Sequence, residues 1–323
     1  MRMVYGPVPS RRLGRSLGVN TIPFKTCNYS CVYCQLGRTT HMTNQRKDFF
    51  PPEELLNEIK RVIEVESSRG EIDFVTFVGE GEPTLCKSLG WLIRKTKEIA
   101  DIPIAVDTNG SLLYREDVRN DLSQADVVMP SLDAGTAETF RKINRPHHGI
   151  DFEAVVKGME KFRQEYNGEI WVEVMLVKGL NDSEEELEAI KSRLSPLEPN
   201  RTYINVPIRP PAAPWAVPPD KESIALAHAI LGDANVVDIT AEETGEFSTD
   251  GFTNPEDAII AIIKRHPMRE EQVIETLKKF EVEERGARDS LTMLEESGKI
   301  KKVKYREKVF WLTEEVKRGK EYE

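Results

Sequence analysis

The chain of 323 residues carries 55 Asp and Glu against 45 Lys and Arg, a formal net charge of −10, with 39% hydrophobic and 31% charged residues. That length exceeds an isolated binding module and suits one large catalytic domain with a small appendage. No apolar run approaches the roughly 18 residues of a membrane span, and no apolar signal region opens the chain, so its four cysteines are expected in a reducing cytoplasm and not in disulfides. A β-rich run at 17–24 opens a series in which strand and helix patterns alternate. A helix is predicted over 52–65, where Leu55, Leu56, Ile59, Val62 and Ile63 recur at helical spacing and Pro51 and Pro52 suit its start. Strands at 72–78, 102–108 and 126–132 are followed by helical patterns at 88–100, 115–122 and then 136–143 with 152–166. Strand 170–177 precedes helix 183–194, and strand 202–208 precedes helix 221–231. Six such units predict an α/β fold with a parallel sheet covered by helices. An open, partial (β/α) barrel and a doubly wound sheet both fit this periodicity.

Residues 235–254 are rich in charged residues, Thr and Gly and read as a connection, in which Val236, Val237 and Ile239 suit a short extra strand. Beyond it the pattern is helical at 255–265, 269–280 and 283–296, with apolar faces such as Ala287, Leu291 and Leu294. Residues 299–312 then read as a β-hairpin around a polar turn. Three helices and a hairpin predict a small winged-helix domain at 255–323, separated by the connection from a main domain at 1–234. The sequence shows no internal repeat and no low-complexity segment.

The densest chemical signal is Cys27-Asn28-Tyr29-Ser30-Cys31-Val32-Tyr33-Cys34, directly after the first strand. Three thiols within one short loop can converge on a soft metal centre, as cysteines that hold an iron–sulfur cluster do. Structural zinc is the competing reading, but it usually takes four ligands in two separated pairs. The nearby candidates His41 and Cys86 do not repeat that spacing. A cluster with three cysteine ligands leaves one iron open, which marks a site of chemistry.

Further signals stand where later strands end: Gly79-Glu80-Gly81-Glu82-Pro83, Asp107-Thr108-Asn109-Gly110 and Ser131-Leu132-Asp133. Ligands bind at the carboxyl ends of strands in such sheets. Glycine lets backbone approach a ligand closely, and a carboxylate accepts from an ammonium group. For Asp133, capping the helix that starts near Thr136 is an equally good reading. The last two strands end beside Val177 with Lys178 and Ile208 with Arg209, whose cations suit an anionic group. His147 and His148 are adjacent and cannot share one face as a ligand pair; they read as a solvated loop, and Cys86 as a structural thiol.

With this cysteine spacing, an aromatic (Tyr33) before the last cysteine and those strand ends, the chain resembles the radical S-adenosylmethionine (SAM) superfamily over roughly residues 15–232. The resemblance implies a partial (β/α)6 barrel, a [4Fe-4S] cluster on Cys27, Cys31 and Cys34, and SAM on the fourth iron. It implies reductive cleavage of SAM to methionine and a 5′-deoxyadenosyl radical that abstracts a substrate hydrogen, with an electron donor of flavodoxin or ferredoxin type. For the cofactor site it implies Tyr33 in the cluster loop, Gly81 and Glu82 at the SAM amino group, Asn109 and Ser131 near its ribose and carboxylate, and Val177 and Ile208 near its adenine. The leader from Pro9 to Val19, with Arg11, Arg12 and Arg15 suited to neutralising the acidic body or binding phosphate, combines with Gln35-Leu36-Gly37. Together they are similar to a subgroup related to tRNA wyosine synthesis. Wyosine enzymes carry a second cluster on additional cysteines, and here only Cys86 is left over.

From Lys264 onward there are 16 Lys and Arg against 14 Asp and Glu, leaving 29 against 41 for the rest. Winged helices commonly bind nucleic acid through the third helix and the wing. The wing supplies Lys299, Lys301, Lys302, Lys304, Arg306 and Lys308, whereas the third helix mixes Glu283, Glu284 and Asp289 with Arg285 and Arg288. Nucleic-acid contact, peptide or protein recruitment and a structural or dimerising brace all fit. The expectation is a cytoplasmic radical SAM oxidoreductase with no membrane partner, acting on an unidentified substrate, with RNA or peptide delivered by the winged helix as the preferred extension. The alternative is a non-enzymatic iron–sulfur redox sensor whose winged helix reads DNA. A sensor needs no SAM pocket and calls for a more basic third helix.

Overall fold

The computed structural model describes residues 2–68, 70, 72–232, 235–241, 247–249 and 252–316. An antiparallel hairpin, β1 (Val4–Ser10) and β2 (Gly14–Val19), begins the main sheet. β3 (Thr26–Cys27) and β4 (His41–Met42) pair in parallel and bracket the cysteine loop. Strand and helix then alternate through α1 (Pro52–Ser67), β5 (Phe74–Phe77), α2 (Leu89–Ile99), β6 (Ile104–Thr108), α3 (Glu116–Leu122) and β7 (Val127–Pro130). Helices α4 (Ala137–Ile143) and α5 (Phe152–Glu165) lead to β8 (Glu169–Met175), α6 (Glu184–Leu194), β9 (Arg201–Asn205), α7 (Lys221–Leu231) and β10 (Val236–Asp238).

The strand order is β1-β2-β5-β6-β7-β8-β9-β10, and each pairing from β2 to β10 is parallel. All six predicted units are present, and β10 extends the sheet from within the connection. The first strand differs from expectation: it starts at Gly14 and stops at Val19. Asn20 ends it, its Oδ1 accepting from Ile22 N and Glu80 N at 3.2 and 3.0 Å, and Pro23 offers no N–H to a ladder.

The sheet curls into an open, partial barrel. Arg11, in the turn between β1 and β2, donates to the carbonyls of Ile239 and Ala241 just past β10, and so spans from one sheet edge to the other. Inside the curl Leu13, Val127, Met129, Trp171 and Tyr203 pack as a plug. Outside, helices lay apolar faces on the sheet, as α1 does with Leu55, Ile59 and Ile63; each such side chain contributes about 1.5–3 kcal/mol relative to exposure. Asp151, Ser183 and Asp220 accept from backbone N–H groups at the starts of α5, α6 and α7, which fixes where each helix begins.

The C-terminal unit contains α8 (Pro255–Arg265), β11 (Met268–Arg269), α9 (Glu270–Lys278), α10 (Glu284–Glu296), β12 (Ile300–Tyr305) and β13 (Lys308–Thr313). Its strands pair antiparallel in the order β11-β13-β12. Arg306 and Glu307 both have positive φ, 49 and 65, the backbone of a tight two-residue hairpin turn. Ile259, Ile263, Val273, Leu277, Leu291 and Trp311 share one core. The hairpin lies against the barrel: Tyr305, Phe310, Leu312 and Val316 pack with Phe24 and Val217, and Tyr305 Oη donates to Pro207 O at 2.7 Å. No helix among the described residues is long and apolar enough to cross a membrane.

Candidate functional site

The cysteine loop is held by backbone at both ends. Lys25 stands in the left-handed region with φ 56. Its N–H donates to Glu80 O at 2.7 Å, and its carbonyl accepts from Thr40 N and His41 N. Farther along, Ser30 N donates to Asn144 O, Val32 N to Ile143 O, and His147 N to Asn28 O. The segment after α4 therefore braces the loop, while the His147 and His148 rings lie against each other, 4.1 Å between centroids.

Cys27, Cys31 and Cys34 are half-buried free thiols. Each sulfur has one side-chain N–H donor: Asn109 Nδ2 at 3.8 Å from Cys27, Asn144 Nδ2 at 3.7 Å from Cys31, and Lys25 Nζ at 3.2 Å from Cys34. Burial, reinforced by the Glu82 charge, pushes the Cys27 thiol up to about 12, and burial with Asp133 raises Cys31 as well. Bare thiolates are thus disfavoured until a metal takes up their charge. Burial works against the Lys25 ammonium, but once the cysteine sulfurs carry charge, Cys34 first, then Cys27, the Cys34 hydrogen bond and Cys31 outweigh it and hold Lys25 above its ordinary range. Among the described residues, no three His, Cys, Asp or Glu gather closely enough to hold a single ion. A cluster takes each cysteine on a different iron, and three cysteines with N–H donors aimed at their sulfurs fit such a group. Cys86 stands apart, buried with Sγ 3.8 Å from Asp48 Oδ1.

Thr26 joins this loop to the turn after β5. Glu82 N donates to Thr26 O at 3.2 Å, and a Cβ at Gly81 would lie 1.6 Å from the same oxygen, so only glycine allows the approach. Glu82 is 1% exposed. Its Oε1 accepts from Thr84 N, Thr84 Oγ1 and Thr108 Oγ1, and its Oε2 from Asn109 N. The carboxylate knits the ends of β5 and β6 together. Asn109 is also engaged, donating to Asn28 Oδ1 at 2.8 Å and accepting from Ser111 N at 2.9 Å. Ser131 is half-buried and pairs through its backbone with Glu173. Val177 is fully buried in the core with its N–H on Asn181 Oδ1.

Asp133 does not cap α4; Thr136 does, accepting from Thr139 N. Instead the buried Asp133 accepts from Tyr33 Oη at 2.5 Å, Asn144 Nδ2 at 2.7 Å and Met175 N at 2.9 Å. Burial pushes its carboxyl up to about 6 against those donors.

Cys34 and Tyr33 also line a cavity of about 320 Å³, with Ile208, Arg209 and His266 in its wall. Arg12, Asp107 and Glu173 line the same cavity. Arg12 Nη2 lies 2.9 Å from Asp107, and Nη1 pairs with Glu173. Burial pushes the Asp107 carboxyl up, opposed by Arg12. Of the two roles the sequence suggests for the leader arginines, Arg12 performs neutralisation, inside the barrel. Arg209 Nη1 donates to Gln35 Oε1 at 2.6 Å, and Gln35 Nε2 to Arg265 O at 3.1 Å. Lys178 is instead exposed, 3.7 Å from Asp220. Sequence reasoning missed Lys25, although it lies two residues before Cys27, and it missed Asn144 and His266, which reach the site only through the fold.

The family model of the Radical SAM superfamily matches residues 21–190. With the cysteine loop and cavity at the mouth of a partial barrel, the chain belongs to the radical SAM superfamily. It is 39% identical over 316 residues, 97% of this chain and 96% of the relative, to the UPF0026 protein MJ1312 of Methanocaldococcus jannaschii. Among solved structures, a radical SAM methyltransferase from Sphaerobacter thermophilus covers 71% of this chain and 67% of its own at 16% identity, with a TM-score of 0.52. Streptococcus suis SuiB bound to precursor peptide SuiA covers 68% and 48% at 14% identity, with a TM-score of 0.51. At such identities these two likenesses show the fold. The protein is an enzyme of this class, and its cofactors are a [4Fe-4S] cluster and SAM.

Proposed function

We propose that this cytoplasmic enzyme holds its cluster on Cys27, Cys31 and Cys34 and abstracts a hydrogen atom from a substrate whose reacting group enters the 320 Å³ cavity. When bound, the cofactors supply one-electron cleavage of the SAM sulfonium to methionine and the 5′-deoxyadenosyl radical that takes the hydrogen. The observation that carries this reading is the contact of Thr26 with Gly81 and Glu82, which fixes the cysteine loop to the turn after β5 beside a cavity lined by Cys34. The backbone of 79–82 offers polar groups to the amino acid end of SAM, and Tyr33 and Ile208 offer wall to the nucleoside. Arg12, Asp107 and Glu173 give the cavity a charged lining suited to a polar substrate group. A flavodoxin- or ferredoxin-type protein supplies the electron. A redox sensor would have no use for such a cavity.

In this reading the C-terminal unit is a winged helix that acts as a brace, because its hairpin packs on the barrel through Tyr305 and Phe310. RNA or peptide delivery is a second reading, favoured by the exposed Lys304, Arg306 and Lys308. Wyosine-type chemistry has no support here, since Cys86 is the only cysteine beyond the cluster set. The test is anaerobic reconstitution followed by iron analysis and mass spectrometry of 5′-deoxyadenosine under dithionite, with and without cell-derived RNA and peptide pools. About four irons per chain and slow 5′-deoxyadenosine formation are expected, and both should vanish when Cys27, Cys31 and Cys34 are all replaced by Ala. A triple variant that keeps its iron would reject the ligand assignment.

A further inference from the structure

We propose that Lys25 sets the reduction potential of the cluster, an inference that rests on the cysteine assignment above. Lys25 is 3% exposed, and the side-chain partner of its ammonium is Cys34 Sγ at 3.2 Å, with no carboxylate paired to it among the described residues. An ammonium buried without a carboxylate is costly, and a left-handed φ is uncommon for a residue other than glycine. Here the φ of 56 is fixed by the bonds of the Lys25 backbone to Glu80, Thr40 and His41. Residues held in this way cluster where function requires them.

The other two sulfurs receive neutral amides, from Asn109 and Asn144, so Lys25 contributes the one full charge among the three side-chain donors. Cluster potentials are set by net charge, hydrogen bonds to the sulfurs and solvent exposure. Reduction adds one electron from the external donor and breaks no bond. A cation at hydrogen-bonding distance from a ligand sulfur therefore stabilises the reduced state more than the oxidised one and raises the potential. Because the ammonium is buried, solvent screens it little, and it is not a contact for the donor protein. Lys25 acts through Cys34 and is a tuning residue, not a catalytic one.

The experiment uses the full-length reconstituted protein and three variants: Lys25→Met, which is neutral and similar in length; Lys25→Gln, which is neutral and keeps a donor; and Lys25→Arg, which keeps the charge. Iron content is counted, and the potential is titrated by following the reduced cluster's electron paramagnetic resonance signal. Both neutral variants are expected to retain iron and to lose at least tenfold in the reduction constant, about 59 mV for a one-electron couple, while Lys25→Arg stays within threefold of wild type. Neutral variants with the wild-type potential would overturn the proposal. So would loss of iron from both of them, which would make Lys25 a residue of cluster assembly. A wild-type chain that binds no iron would instead strike the cysteine assignment, so the two failures are separable.

Discussion

Arg265, the last residue of α8, forms an ion pair with Glu80 of the turn after β5, 2.8 Å from Nε to Oε1, with side chains 9% and 2% exposed. The guanidinium also lies 4.6 Å from the Tyr5 ring centroid and donates to Arg2 O at 2.8 Å. Glu80 is followed by Gly81, which touches Thr26 beside Cys27. One run of contacts thus links the C-terminal unit to the cysteine loop.

Removing the Arg265 guanidinium leaves a buried carboxylate without its partner, a change that typically costs about 3–5 kcal/mol. Burial already raises the Glu80 pKa, and Arg265 is the largest opposing influence. A carboxyl with a raised folded pKa stabilises the fold below its unfolded value and loses that contribution as pH rises through the folded value. Arg265→Gln should therefore lower the urea midpoint, with a deficit that grows as pH rises from 4 to 7. The double variant with Glu80→Gln should recover much of it. A deficit independent of pH would show that Arg265 acts by packing alone.

Glu82 invites a different test, because its carboxylate takes bonds from Thr84 N, Thr84 Oγ1, Thr108 Oγ1 and Asn109 N. Glu82→Ala orphans those donors, at about 1–3 kcal/mol for each buried group left unsatisfied and less than additively. Unfolding midpoint, iron retention and SAM affinity should all fall together, since the turn and the end of β6 loosen as one. A variant of wild-type stability that binds SAM poorly would instead place the carboxylate directly on the ligand.

These contacts mark where sequence pattern stops being informative. Buried parallel strands read as continuous apolar runs, so β5 is visible in Phe74-Val75-Thr76-Phe77 and the six units follow from such runs. β1 is not visible, because Gly6, Pro7 and Pro9 interrupt it and only an edge strand accepts those prolines. The cysteine spacing is local and legible. Asn144 meets Cys31 across 113 residues of chain and Arg12 meets Glu173 across 161, separations that no local pattern encodes. Asp133 and Thr136 are both competent caps, and Tyr33 with Asn144 decides between them by engaging Asp133.

Asp133 gives a pH prediction of its own in the metal-free protein. Burial, opposed by Tyr33 and then by Met175 N and Asn144, moves its carboxyl from 3.8 to about 6. The folded state then binds the proton more tightly than the unfolded chain does. The contribution of Asp133 to stability is complete below about 3.8 and lost as pH rises through about 6, a change of order 3 kcal/mol across that window. Asp133→Asn removes this titration, so the stability of wild type relative to the variant should fall between pH 4 and 6 in urea unfolding. A difference that stays constant over that range would assign the proton elsewhere.

The C-terminal hairpin supplies the last prediction. Lys301 Nζ donates to Val316 O at 2.9 Å and lies 3.7 Å from Glu314, and Lys302 sits 5.4 Å from the Trp311 ring centroid. Arg288 on α10 is paired with Glu270 and Glu284, so this cation of the helix that would enter a groove is already neutralised. Tyr305, directly between the exposed Lys304 and Arg306, is tied to Pro207, which keeps this end of the hairpin on the barrel. Each phosphate contact contributes about 0.7–0.9 to the log–log slope of affinity against salt. Replacing Lys301, Lys302, Lys304 and Arg306 by Gln should leave that slope for RNA and DNA unchanged and leave SAM cleavage without substrate at the wild-type rate, because these side chains brace the unit or face solvent without converging on a ligand. A slope lowered by about 0.7 or more would show that the wing meets a polyanion, and would restore macromolecular delivery as the role of the C-terminal unit.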